Sequence, residues 1–220
     1  HIPAGEPLPT IRYPAGRNTV DTSRLTLAAF AEKNLNAAER YLGAIAASDR
    51  AVDELSQLFE FPFALPKAAP AAFATAIIEA TRQEYNKRAD DDSIRRTGLG
   101  LSRLDHPFTM GKCGITLFSD LLAADADQGI ALIRTLTGMT EAVVQTGGEF
   151  GLELLGQTRL IKPSNSYSWP RGHGPSQLVG KALAALEYWA HQEIENGADL
   201  ETVAKRIAGD GPISGAFLLI

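Results

Sequence analysis

Ser176-Gln-Leu-Val-Gly-Lys-Ala-Leu-Ala-Ala-Leu-Glu-Tyr-Trp-Ala-His-Gln-Glu-Ile-Glu195 is the stretch on which the reading of the fold turns. At about 100° per residue, Leu178, Val179, Ala182, Leu183, Leu186, Trp189, Ala190 and Ile194 fall within an arc of about 160°, while Glu187, His191 and Glu195 lie opposite. The stripe predicts an amphipathic helix opened by Ser176 after Pro175 and closed by Asn196-Gly197. Asp199 then begins a shorter helix through Leu200, Val203 and Ile207.

The same spacing recurs upstream. Asp21-Thr22-Ser23 offers capping side chains before Leu25, Leu27, Ala28 and Phe30. Asn36 opens a helix through Tyr41, Leu42 and Ile45, and Asp49 opens another through Val52, Leu55, Leu58 and Phe59. Pro62 and Pro66 break that run, and Phe73, Ile77, Ile78 and Tyr85 describe a helix from Ala71 onward. Helical spacing returns at Ile115, Leu117, Phe118, Leu121 and Leu122. Asp125 or Asp127 then caps a helix through Ile130, Ile133, Leu136 and Val143, stopped by Gly147-Gly148. Between these halves, residues 87–107 carry little apolar rhythm and read as a surface connection. Residues 149–162 place Gly156 between two short apolar runs, a pattern that suits one small β-hairpin.

Ala46–Leu58 and Ala124–Leu136 share an Asp followed by apolar residues three, six and nine positions later. Helix, short Asp-bearing turn, helix occurs about three times, at spacings too irregular for a ~33–34-residue repeat array. Antiparallel pairs stacked side by side would bury a continuous apolar layer. The expected fold is therefore all-α, an irregular α-α superhelix or solenoid of antiparallel helix pairs. Residues 1–20, with Pro3, Pro7, Pro9 and Pro14, read as an extended linker. Residues 21–220 read as the helical array, with sub-segments 21–86 and 108–220. The start at His1 and the closing apolar run Ile213–Ile220, which looks like a helix cut off in mid-stride, suggest a piece of a longer polypeptide.

Composition narrows the function. Of 220 residues, 45% are hydrophobic and 21% charged, the balance of a globular chain. The 21 Lys and Arg against 26 Asp and Glu give a formal net charge of −5, so nucleic acid is not an expected partner. Cys113 is the only cysteine, which excludes an internal disulfide and points to a reducing, cytoplasmic setting. No apolar run approaches the ~20 residues that cross a bilayer, so no membrane partner is expected.

Candidate chemistry is sparse. Met110-Gly-Lys-Cys-Gly lacks the Gly and the hydroxyl of a phosphate loop, since Cys113 follows Lys112 and His106 stands five positions before Gly111. Gly211-Pro-Ile-Ser-Gly215 has the wrong spacing for a nucleophile elbow. Glu187, His191 and Glu195 would share a metal only if a further ligand joined them, and their side of the helix reads as solvated. Asp90-Asp91-Asp92 needs no ion, and His106, Cys113 and His173 have no spacing that requires convergence. No metal, cofactor or catalytic residue is assigned.

The most unusual stretch is Lys162-Pro-Ser-Asn-Ser-Tyr-Ser-Trp-Pro-Arg-Gly-His-Gly-Pro175. Aromatic and Arg side chains are preferred interface anchors, so Tyr167, Trp169, Arg171 and His173 are the candidate binding residues. The alternative is a plug, with Trp169 covering the end of the helical array and Arg171 bonding helix carboxyl ends.

Two stretches carry a family resemblance. Phe118–Leu136 resembles a helix pair in the helical regions of very large bacterial ATP-binding proteins of the STAND-like type. Tyr167-Ser-Trp-Pro-Arg171 followed by Ala182-Leu-Ala-Ala-Leu-Glu-Tyr-Trp189 resembles a later part of the same regions. The resemblance covers roughly residues 115–195. It implies a non-catalytic scaffold or sensing module, in proteins of antiviral defence or signalling, whose partners are neighbouring domains of the same chain or another protein. The competing expectation is an enzyme or small-molecule-binding domain with a pocket between helix pairs, using His173, Cys113 and the Glu187/His191 side.

Overall fold

Four side chains start the helices that hold the core. The computed structural model describes residues 30–60, 64–89, 116–144, 148–154, 156–162 and 176–219. Asn34 accepts from the Ala37 amide at 3.3 Å and opens α1, Leu35–Ala46. Asp125 accepts from the Gln128 amide at 3.1 Å and opens α6, Ala126–Val144. Ser176 accepts from the Val179 amide at 3.3 Å and opens α7, Gln177–Glu195. Asp199 accepts from the Thr202 amide at 2.9 Å and opens α8, Leu200–Ala208. Each cap satisfies an amide that the first helical turn leaves without a partner. Between them lie α2 (Ala51–Glu60), the short α3 (Leu65–Ala68), α4 (Pro70–Ala89) and α5 (Thr116–Ala124).

Several of these boundaries correct the reading of the sequence. The cap of α1 is Asn34, not Asn36. At the turn before α2, the Ser48 hydroxyl accepts from the Arg50 amide at 3.1 Å. Asp125 fills the cap at α6, which leaves Asp127 in the first turn with its carboxylate turned to another helix, so the Asp49/Asp127 repeat is not a repeat of caps. Pro66 does not break a helix but sits in the first turn of α3, where a missing N–H costs nothing. Helix α4 runs to Ala89, three residues into the expected connection.

As the helical spacing predicts, the described residues are mostly helical, with eight α-helices, and they also carry one small three-stranded sheet. The hairpin forms as β1 (Phe150–Leu154) and β2 (Gln157–Lys162), antiparallel, with Gly156 at φ 73° in the turn. A third strand was not foreseen. Ile213–Ser214, β3, pairs parallel with β2 in the register Ile161 to Ile213. The crossover that a parallel pair requires is supplied by α7 and α8. The closing segment is accordingly not an apolar α-helix: after β3 it becomes a 3-10 turn over Gly215–Leu219, with Ala216 buried.

One apolar cluster runs through all of these helices. Helix α4 packs on α1, α2 and α6; α5 packs on α3, α6 and α7; α6 packs also on α7 and β3; and α8 lies against α7. The two halves expected on either side of residues 87–107 thus meet where α4 packs on α6 and where α3 packs on α5. The predicted stripe of α7 is buried from Leu178 through Ala190, while Ile194, at its edge, is exposed. Among the described residues no helix is long and apolar enough to cross a membrane.

Truncating Leu186, fully buried on α7, should lower stability by about 2–5 kcal/mol, through lost transfer energy and the cavity left behind. Ile194→Ala should change it by less than about 1 kcal/mol. Urea unfolding followed by circular dichroism compares the two.

Candidate functional site

Two polar assemblies stand out against the apolar core. The first surrounds the turn after α8. Arg134, on α6, donates from Nε to the Ile207 carbonyl at 2.7 Å and from a terminal nitrogen to the Arg206 carbonyl. Arg159, on β2, donates from one terminal nitrogen to the Gly209 and Gly211 carbonyls at 2.5 and 2.6 Å. Four carbonyls at the end of a helix and its following turn therefore receive two guanidinium groups. That is where a helix leaves its carbonyls without partners and where its dipole is negative.

Gly209 makes the approach possible. Its backbone sits at φ 60° and ψ −160°, a region open almost only to glycine. A Cβ there would come within 2.4–2.9 Å of the Arg134 guanidinium. Burial pulls the Arg134 guanidinium below the usual arginine value; the Asp210 charge opposes this, Arg159 adds to it and Asp127 opposes it.

Arg206 extends the same assembly outward. Its Nε donates to Asp127 Oδ1 at 2.7 Å, joining α8 to α6, and its guanidinium carbon lies 5.4 Å from the centre of the Trp189 ring. The hydrogen bond from Arg206, and then its charge, hold the Asp127 carboxyl below the ordinary aspartate value of 3.8.

The second assembly is a polar seam between α4 and α6. Thr81, Thr137 and Thr140 are buried, and their hydroxyls donate to the carbonyls of Ile77, Ile133 and Leu136, one turn back in each case. Since Thr140 has spent its proton on Leu136, the Tyr85 hydroxyl donates to Thr140 Oγ1, at 2.6 Å. Glu84 is buried beside Tyr85, and Glu141, beside Thr140, accepts from the Ser214 hydroxyl on β3. Ser214 in turn accepts from the Ala216 amide at 3.0 Å. Gln83 donates to the Ser48 carbonyl at 2.6 Å and ties α4 to the turn between α1 and α2.

The binding residues expected from sequence, Tyr167, Trp169, Arg171 and His173, lie outside the described residues, as do His106, Cys113 and Asp90–Asp92. The described residues that flank Tyr167–His173 are Lys162, the end of β2, and Ser176, the cap of α7. Glu187 is half-buried, whereas His191 and Glu195 are exposed on the outer side of α7. Among the described residues no group of three His, Cys, Asp or Glu side chains could hold a metal ion. Sequence reasoning missed the arginines of the turn because Arg134, Arg159 and Arg206 come from three distant segments. Glu84 left a usable signal: seven residues after Ile77, it falls on the apolar stripe of α4.

Comparison with protein-family models, curated proteins and solved structures finds no match to this chain.

Two measurements probe the turn. Gly209→Ala should cost about 1–3 kcal/mol in urea unfolding, and an Arg134→Ala background should remove part of that cost, because the clash and the backbone strain are separate contributions. Strict additivity of the two substitutions would contradict the described contact. The Asp127 carboxyl should titrate below 3.8 in an NMR pH series, and Arg206→Gln should move it upward. With a folded pKa below the unfolded one, the stability linked to Asp127 is present above about pH 4 and is lost as pH falls through the folded value.

Proposed function

We propose that this chain is a non-catalytic helical scaffold or sensing module of a larger multidomain bacterial ATP-binding protein, acting in the cytoplasm. In this reading its helix pairs stack as an irregular α-α superhelix. The loop carrying Tyr167, Trp169, Arg171 and His173 contacts a neighbouring domain or another protein. The observation that carries the reading is the order of packing. The pair α1/α2 lies chiefly on α3/α4, α3/α4 on α5/α6, and α5/α6 on α7, each step following the chain. A sequential stack exposes long helix edges suited to holding other domains.

The use of the polar groups supports the same conclusion. The arginines of the turn are committed to main-chain carbonyls and to Asp127, and the seam threonines to carbonyls of their own helices. Such bonds fix the shape of a helical stack. The resemblance of Phe118–Leu136, Tyr167–Arg171 and Ala182–Trp189 to helical regions of STAND-like proteins supplies the wider setting.

The test is the double substitution Trp169→Ala and Arg171→Ala. As interface anchors, these residues can be removed with the helical circular dichroism signal intact and the melting midpoint moved by less than about 2 °C. A fall of more than about 5 °C, equivalent to more than about 1–2 kcal/mol for a chain of this size, overturns the assignment and makes the loop a plug. ATP turnover by this chain alone would overturn the non-catalytic part.

A further inference from the structure

The sheet ends on an edge with unusual exposure. β1 has β2 as its only strand neighbour among the described residues, so one row of its backbone N–H and C=O groups faces outward. Natural edge strands are protected by Lys, Pro, bulges or brevity. Phe150-Gly-Leu-Glu-Leu154 has no Lys and no Pro, and its five residues pair with β2 without a bulge.

Its apolar side chains continue a row that begins in the core. Ile213 on β3 stands beside Ile161 on β2, and Ile161 stands opposite Phe150 on β1. Cross-strand partners share a face, and alternation puts Leu152 and Leu154 on that face too. Ile161 and Ile213 are 0% and 4% exposed, but Phe150 is 47% and Leu152 36% exposed. The row runs from the helical core outward and stops, uncovered, at the last strand.

We propose that β1 is a self-association edge, at which two copies of this chain pair their β1 strands antiparallel about a twofold axis at Leu152. The register follows from charge. Side chains on one face must meet across a twofold, so the axis passes through a residue: Gly151, Leu152 or Glu153. At Gly151, Glu149 would face the partner's Glu153. At Glu153, that residue would face the partner's Glu153. Only the axis at Leu152 avoids like charges, setting Glu153 opposite the partner's Gly151, Phe150 opposite the partner's Leu154, and Leu152 opposite the partner's Leu152. Each exposed apolar side chain of the row then packs sideways against its counterpart, and the three strands of each copy join in one continuous sheet.

Five paired residues per chain make an interface at the small end of the range, so the association is weak and concentration-dependent. Sedimentation velocity of the whole chain from about 1 to 200 µM should show a monomer–dimer equilibrium. Leu152→Lys, which sets Lys against Lys at the axis, should weaken it by about tenfold or more while the circular dichroism spectrum is retained. Cross-linking reads the register independently of that variant. In a Cys113→Ser background, Leu152→Cys should form a disulfide-linked dimer, since directly opposed Cα atoms lie about 4.5–5.5 Å apart. Glu153→Cys should not, because its counterpart is displaced by two residues, about 7 Å along the strand. A monomer throughout the range, a dimer indifferent to Leu152→Lys, cross-linking at position 153 as efficient as at 152, or an edge that takes an added extended peptide in place of a second copy would each overturn the proposal.

Discussion

The packing of α4 on α6 is the constraint on which the rest of the molecule depends. Together with the contact of α3 on α5, these two long helices join the segments before and after residues 90–115, and each is also the platform for its own side of the fold. Helix α4 carries α1 and α2; α6 carries α5, α7 and β3. Both helices bury apolar side chains, Phe73 and Ile77 on α4 and Ile133 and Leu136 on α6, and the Tyr85–Thr140 bond crosses between them. Apolar burial supplies the drive but little direction. The Tyr85–Thr140 bond is directional and favours a single register of the two helices, while the link from Glu141 to Ser214 fixes α6 against β3.

The turn after α8 solves a related problem. A short helix with one buried side, made by Val203 and Ile207, has little apolar area with which to hold its place. Arg134 from α6 and Arg159 from β2 take up the carbonyls at its end, and Arg206 reaches back to Asp127 while lying over Trp189. Helix, sheet and the closing strand are thereby fastened at one locus. Gly209 is the residue that permits it, through a backbone conformation and a clearance that a side chain would remove.

These assemblies bear on function through shape. Arginine and threonine side chains committed to main-chain carbonyls hold the helices in place, and a rigid surface is what the proposed scaffold role would need. The places to look for contact are then the edge of β1 and the sequence between Lys162 and Ser176. The first can pair with its own copy without setting like charges opposite each other, and the second has the aromatic and arginine content of an interface.

Much of the architecture was legible because it is written in local chemistry. The stripe of α7, its Ser176 cap, the Asp199 cap and the glycine of the hairpin depend on residues within a few positions of one another, so spacing alone determined them. The cap of α1 and the end of α4 were missed by a few residues, where Asn34 and Asn36, or a charged helical turn and a charged loop, present nearly the same signal. Glu84 could have been placed in the core from its seven-residue distance to Ile77. The tertiary structure alone decided that Ile213–Ser214 is a strand, that Asp127 bridges to Arg206 and does not cap a helix, and that Arg134 and Arg159 converge on one turn. Those outcomes join groups some 50 to 80 positions apart. Periodicity and capping carry no information across such distances, because the partners become neighbours only when the helices between them have packed.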